Sequence, residues 1–388
     1  MIRAILLKGL SQYDALRLFA EELYKSFIKL KVETVVIDMT KKNWIEVLEN
    51  ELRIGCNFVL AFNGIGSDLR IKNNSIYNVL GIPYIGIYVD HPIYHIERLS
   101  NNINKYIVTV VDKKHIDFLN NYFDKDKFLI KKFLPHGGIE NKLGFNEKQF
   151  NFRNNNILFS GTYKGIPVRQ WLNIDNLFLK SFIEDVFNAR TEFMSIEESV
   201  DYVIKQRNMT IRNDILNKIK LYSIQYIDAY DKSKIRFDIL KYVLECGINI
   251  DIYGNGSWNE ISDSYTNANY KGDITMNDLI GLYSNYKVTL NDNNNFRNGS
   301  HERIFNAVSN GCQCITSKSS YYDKIFDKDK SIIKYSRNNF ENLDINIKKA
   351  IKPEAYYNIR ETRQYVLNNH LWINRAQEIL NLYQMSII

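Results

Sequence analysis

His301, Glu302 and Arg303 stand together at the start of an apolar segment, and a helix beginning there would be suited to hold an anion. Over residues 300–316, SHERIFNAVSNGCQCIT, Ile304, Phe305 and Val308 fall at i, i+1 and i+4 and form one apolar stripe. Ser300 is placed to cap the first turn, and Gly311 supplies a left-handed residue to end the helix before a short strand. Free backbone N–H groups, the positive end of the helix dipole and the side chains of His301 and Arg303 would together seat a diphosphate. The plain alternative is that both side chains are solvated.

A second candidate centre is Asp90-His91-Pro92, with His95 close by. Asp90 ends the apolar run 85–89, so its carboxylate belongs at a strand's carboxyl end, where it or the His91 imidazole could take a proton from a hydroxyl. The same residues also suit a cap, with Asp90 before a helix and Pro92 in its first turn. The run Asn63-Gly64-Ile65-Gly66-Ser67 lacks the third glycine of a dinucleotide fingerprint and follows the third strand, so it reads as a glycine-rich turn near a cleft.

These residues need a frame that brings them together, and the alternation of short apolar runs with amphipathic stretches supplies one. Runs at 2–7, 34–38, 58–62, 84–89 and 106–110 predict strands of a parallel sheet covered on both faces, an α/β class. The clearest helix covers 11–30, with Ser11 and Asp14 as a capping pair and Leu16, Phe19, Leu23 and Phe27 at helical spacing. A polar stretch at 145–156 marks a boundary, giving a first domain over 1–150 and a second over 151–368. The second unit opens with a strand at 157–160 that ends in Ser160-Gly161-Thr162, where small residues let backbone approach a ligand. A helical insert at about 165–235 has an aromatic face that would serve packing or acceptor choice. The sheet resumes at 248–253, followed by Gly254-Asn255-Gly256, and again at 287–291. Terminal helices cover 354–367 and 372–383.

At 388 residues the chain can form two domains, each with its own core. Its net charge of +7 is spread along the sequence without a basic stripe, which argues against nucleic acid while mildly favouring a nucleotide diphosphate. The four cysteines form no Cys-x-x-Cys pair and the six histidines complete no ligand set, so no metal site is expected. No leader pattern opens the chain and no apolar run approaches about 20 residues. The expectation is a cytoplasmic protein without a transmembrane segment, with peripheral membrane contact left open.

The segment at 300–311 resembles the donor-binding helix of GT-B glycosyltransferases and is most similar to the spore maturation protein CgeB-like group. Further matching stretches run in order: Tyr88-Val89-Asp90-His91-Pro92, Pro135-His136-Gly137, Phe159-Ser160-Gly161-Thr162, and Tyr253-Gly254-Asn255-Gly256 with Trp258. They continue in Tyr270-Lys271-Gly272-Asp273 before Leu290-Asn291, and in His370-Leu371-Trp372 with Arg375-Ala376. The resemblance implies two Rossmann-like domains facing a cleft, with the segment 369–388 crossing back to the first. It implies a nucleotide-sugar donor, a protein or glycan acceptor and transfer to a hydroxyl, with no metal or other cofactor held by the protein motif. Donor binding would fall to Gly161, Thr162, Tyr253, Gly254, Asn255, Gly256, Gly272 and Asp273, and to Ser300, His301, Arg303 and Asn306 of the donor helix. Lys164 or Arg169 would assist the leaving diphosphate, and an inverting reaction would use Asp90 or His91 as base. The chain departs from the pattern at Asn306 and Asn298, where related enzymes carry acids, and asparagine cannot make a charge-assisted bond to a ribose hydroxyl. That departure keeps a turnover-deficient binding protein in view, and the shared architecture keeps a nucleotide-sugar epimerase in view.

Overall fold

Strands that are apolar on both faces need helices on both sides, and this chain builds two such layers. The computed structural model describes residues 1–191, 194–293, 296–326 and 332–387. Among these, the first sheet holds β1 (Arg3–Lys8), β2 (Glu33–Asp38), β3 (Phe58–Phe62), β4 (Tyr84–Tyr88), β5 (Tyr106–Val110) and β6 (Ile130–Phe133). The second holds β7 (Asn154–Ser160), β8 (Ile250–Tyr253), β9 (Ala268–Tyr270), β10 (Tyr286–Asn291), β11 (Gln313–Ser317) and β12 (Ile333–Tyr335). The six-stranded orders are β2-β1-β3-β4-β5-β6 and β9-β8-β7-β10-β11-β12, with every pairing parallel. Strand order therefore reverses between β1 and β3 in one sheet and between β7 and β10 in the other. Ligands of such sheets sit beyond the strand carboxyl ends at these reversals.

The five strands expected in the first half form. The short strands β6 and β12 were not expected from the sequence, because their lysines interrupt the apolar runs, as befits sheet edges. The first long helix, α1 (Ala15–Lys29), starts four residues later than its spacing suggests. Tyr13 and Asp14 instead take left-handed φ values of 55° and 56°. Tyr13 leaves the helical path to reach the second half, where its hydroxyl lies 2.7 Å from Thr162 Oγ1 and accepts from the Asn255 amide at 3.3 Å.

The insert packs α2 (Leu177–Ala189), α3 (Ile196–Gln206) and α4 (Asn213–Glu245) around its own core of Trp171, Phe182, Val186, Val200 and Ile227. α4 runs through residue 235, the expected end of the insert, because no glycine or proline interrupts it before Gly247. Ile224 of α4 is buried in the core of the first half, with Ile93 and Phe118. The insert thus belongs to the second half in sequence and packs against the first.

The second half continues with α5 (Met276–Tyr283), α6 (Glu302–Ser309), α7 (Ala355–Asn369) and α8 (Trp372–Met385). α8 returns to the first half, where Trp372 meets Phe19 at 5.2 Å and Phe62 at 5.6 Å between ring centroids. Tyr383 meets Phe58 at 5.0 Å, and Asn57 Nδ2 donates to its hydroxyl at 3.1 Å. One apolar core runs through both halves from Leu6 and Phe19 to Ile304 and Phe305.

The loops after β7 and β8 press together, and Gly256 at φ 114° makes room for this: a Cβ there would be driven into the Tyr163 carbonyl. Gly272 has a similar φ of 86° but nothing within 4 Å of a built Cβ. Gly256→Ala should therefore lower stability by about 2 to 4 kcal/mol in denaturant unfolding, whereas Gly272→Ala, which adds strain without collision, should cost about 1 kcal/mol.

Candidate functional site

The carboxyl ends of both sheets open onto one cavity of about 910 Å³. From the first half it is lined by Ser11 after β1, Asn63 after β3 and Asp90 after β4. From the second come Gly161 and Thr162 after β7, Gly254 after β8 and Asp292 after β10. Both strand-order reversals thus face the same space.

Asp292 organises the floor. It is 3% exposed and sits between two guanidinium groups, with Arg236 Nε at 3.2 Å from Oδ2 and Arg303 Nη1 at 3.3 Å from Oδ1. Burial pushes its carboxyl up, but Arg236 and then Arg303 outweigh that and hold it below the usual range. Arg303 also donates to Asn291 Oδ1 at 3.1 Å, and Arg236 donates to the Thr162 carbonyl. A guanidinium has five N–H donors. The bonds to Asp292, Asn291 and Thr162 fix both planes and leave further donors along the cavity wall.

The start of α6 differs in detail from its sequence reading. Ser300 is not the cap: it is fully buried, and its hydroxyl accepts from the His136 amide at 3.3 Å. His301 occupies the cap position, with Nδ1 at 3.5 Å from the Arg303 amide and at 2.6 Å from Glu302 Oε2. Nδ1 accepts from the Arg303 amide as the cap, and the Glu302 carboxylate lies against the same nitrogen. The His301 amide donates to the Tyr322 hydroxyl at 2.8 Å. Part of the helix start is therefore already engaged, so side-chain cations carry more of any anion binding than backbone amides. Burial favours neutral Glu302, yet His301 and Arg303 keep its carboxyl well below the usual range.

His136 completes this corner. Its ring Nδ1 donates to the Ser300 carbonyl at 2.9 Å, and burial pushes its pKa down to about 4 despite Glu302 nearby. The imidazole is therefore neutral near pH 7.

The sequence-expected residues divide into those that line the cavity and those that do not. Asp90, Gly161, Thr162, Tyr253, Gly254, His301 and Arg303 line it, as does Lys164. Asp90 accepts from Asn63 Nδ2 at 2.8 Å and lies 3.7 Å from His95 Nε2. The carboxyl is exposed to the cavity, and the desolvation that would raise its pKa is outweighed by His95 and Asn63, which hold it below the usual range.

His91 lies outside the main cavity. Its Nδ1 accepts from the Ile93 amide at 3.1 Å and its Nε2 donates to Glu197 Oε1 of α3 at 3.0 Å. Both ring nitrogens are engaged away from the main cavity, because the insert supplies a carboxylate that the sequence did not place there. His91, not Asp90, caps the following turn. Arg169 is likewise withdrawn, paired with Glu184 inside the insert at 2.6 Å.

Asn306 is fully buried and its Oδ1 accepts from the Ile139 amide at 2.9 Å, so it ties α6 to the chain crossing between the halves rather than facing a ribose. Asn298 packs against Asp112 and Ser320. Asn255 and Gly256 are held in the loop contact with Tyr13 and Tyr163, while Gly272 accepts from the Gly254 amide. Asp273 lines a separate shallow depression beside the cavity with Tyr13 and Thr275. Asn294 and Asn295 of the Asn-rich loop lie outside the described residues.

The sequence reading missed Arg236, Asp292, Tyr13 and the α4 face bearing Asp228 and Lys232. Asp292 directly follows a strand and was open to the rule that picked out Asp90. Arg236 carried a weaker signal: the polar positions 225, 228, 232 and 236 recur at helical spacing within an otherwise mixed helix.

Residues 236–381 match the family described as glycosyl transferase-like. No curated protein matches the chain. Among solved structures, a sucrose-phosphate synthase from Thermosynechococcus elongatus is similar, at 11% identity over 100% of this chain and 99% of that one, with a TM-score of 0.55. AviGT4, a glycosyltransferase involved in avilamycin A biosynthesis, is 8% identical over 99% and 97% of the two chains, with a TM-score of 0.52. The fold is GT-B. The family match begins at Arg236, so it contains both arginines that hold Asp292.

The buried imidazole of His136 has a consequence for stability. Its folded pKa of about 4 lies below the unfolded value of about 6.5, so the unfolded chain binds this proton first as pH falls. The contribution is zero above about pH 7 and becomes destabilising between 6.5 and 4, at up to about 1.4 kcal/mol per pH unit. Asp112, pushed up to about 6 by burial, works in the opposite sense over an overlapping range. His136→Gln should therefore make the stability loss between pH 7 and 5 visibly shallower than in the wild type, read as urea midpoints across pH.

Proposed function

We propose that the protein is a glycosyltransferase that binds a nucleotide-activated sugar in the cavity and transfers the sugar to an acceptor hydroxyl. The observation that carries this reading is the Arg236–Asp292–Arg303 arrangement at the strand-order reversal of the second sheet, inside the stretch that matches the glycosyl transferase-like family. Two guanidinium groups fixed by one buried carboxylate form a preorganised seat for a diphosphate, with His301 and Lys164 on the same cavity wall. Catalysis rests chiefly on stabilising the charge that develops on the departing diphosphate.

Asp90 is the residue placed to take the hydroxyl proton. It stands on the first half's side of the cavity, ionised and held by Asn63. The bond from the anomeric carbon to the diphosphate oxygen breaks with its electron pair leaving on the diphosphate. The acceptor oxygen forms the new bond, and its proton passes to Asp90. The narrower likeness to the CgeB-like group rests on the motifs of the sequence and belongs to this proposal, as do the cytoplasmic setting and the absence of any metal requirement. Among the described residues no helix is long and apolar enough to cross a membrane.

Thermal unfolding with UDP, GDP, CMP, dTDP and their sugars tests the reading. One nucleotide at about 100 times its dissociation constant should add roughly 2.7 kcal/mol of stability, and Arg303→Ala and Arg236→Gln should each abolish the shift. Asp90→Asn should retain the shift and lose transfer by about 100-fold or more. A protein that no nucleotide or nucleotide sugar stabilises does not fit the proposal.

A further inference from the structure

One helix supplies a whole wall of the cavity. Gln225, Asp228, Lys232 and Arg236 of α4 all line the cavity, at intervals of three, four and four residues. They form a single stripe roughly 16 Å long. One end of the stripe, Arg236, holds Asp292 beside the diphosphate seat. The other end is anchored to the first half: Tyr94 donates to Asp228 Oδ2 at 2.5 Å, and Ile224 is buried in the first half's core.

Lys232 is 2.8 Å from Asp228 Oδ2, and its charge helps keep Asp90 ionised. Around Asp90 the wall thus offers carboxylate acceptors, an ammonium donor and the Gln225 amide, able to donate and accept, while the Asn63 amide is engaged by Asp90 and the Val89 amide. Apolar lining is present as well: Val89 beside Asp90 and Ala229 on α4, with Leu16 and Phe19 of α1 and Met276 and Leu279 of α5 further along the wall. Mixed donors and acceptors beside small apolar surfaces match a polyhydroxylated ring, which presents a hydroxyl edge and a C–H face together.

We infer that α4 forms the acceptor subsite, that Gln225 and Lys232 determine acceptor specificity, and that the acceptor is a saccharide presented through a ring hydroxyl. This inference rests on the transferase reading above and adds the substrate class and the residues that select it. The one helix carries both subsites, so it sets the distance between the leaving diphosphate and the incoming hydroxyl.

The test uses the full chain with the nucleotide sugar that stabilises it, and methyl α-glucoside, methyl α-galactoside and methyl N-acetyl-β-glucosaminide as acceptor probes, with products read by mass spectrometry. The wild type should glycosylate at least one probe. Gln225→Leu and Lys232→Met should raise the KM for that probe by ~10-fold or more, while the nucleotide-induced thermal shift stays within about 1 °C of wild type. Gln225 is exposed on its helix, so its replacement leaves the core intact. Donor cleaved by water with none of the three probes glycosylated would overturn the inference, as would an unchanged KM in both variants. If no nucleotide sugar binds at all, the transferase reading fails first, and the thermal-shift arm distinguishes that failure from the other two.

Discussion

A carboxylate buried to 3% exposure must be paired, and the pairing of Asp292 organises the site. It binds Arg236 from α4 and Arg303 from α6, two helices far apart in sequence, at the carboxyl end of β10. Removing the carboxylate would leave two guanidinium groups facing each other, whereas removing one arginine would leave a buried anion half compensated. Each guanidinium is held in its plane by these bonds. The four lysine and arginine side chains on the cavity wall face four carboxylates, Asp90, Asp228, Asp292 and Glu302. The described cavity wall therefore carries no excess of positive charge, and its two guanidinium groups are ordered by geometry at Asp292.

The same constraint joins the halves. α4 is 33 residues long and carries Arg236 at the second sheet and Ile224 in the core of the first half. The insert is tied further to the first half by His91 with Glu197, at 3.0 Å, and by Lys114 with Glu198, at 2.7 Å. α8 makes the return connection from the other side, with Trp372 and Tyr383 packed on aromatic rings of the first half. Motion of one sheet against the other must therefore carry α4 with it or break these contacts.

Much of the frame was legible in the sequence because buried parallel strands read as short apolar runs and the helices between them keep an apolar face. β1 to β5 and the Gly311 turn came from such patterns, and Gly311 has the left-handed φ of 72° expected of it. The edge strands β6 and β12, whose short apolar runs are broken by lysines, carried no such signal. The site was legible where chemistry coincided with a strand end, as at Asp90, Gly161 and Thr162. It was not legible where a side chain's role depends on a partner more than 50 residues away. Glu197 engages His91 Nε2 and the Ile139 amide engages Asn306 Oδ1, and neither partner is near in the sequence. Arg236 was hidden for the same reason: its meaning comes from Asp292, 56 residues later.

The central claim is that a nucleotide diphosphate sits against the Arg236–Asp292–Arg303 arrangement. A crystal structure with the nucleoside diphosphate that stabilises the protein tests it most directly. Diphosphate oxygens should lie within hydrogen-bond distance of both guanidinium groups, with the base toward the loops after β7 and β8. A diphosphate bound elsewhere, or in the cavity without contact to either arginine, would contradict it.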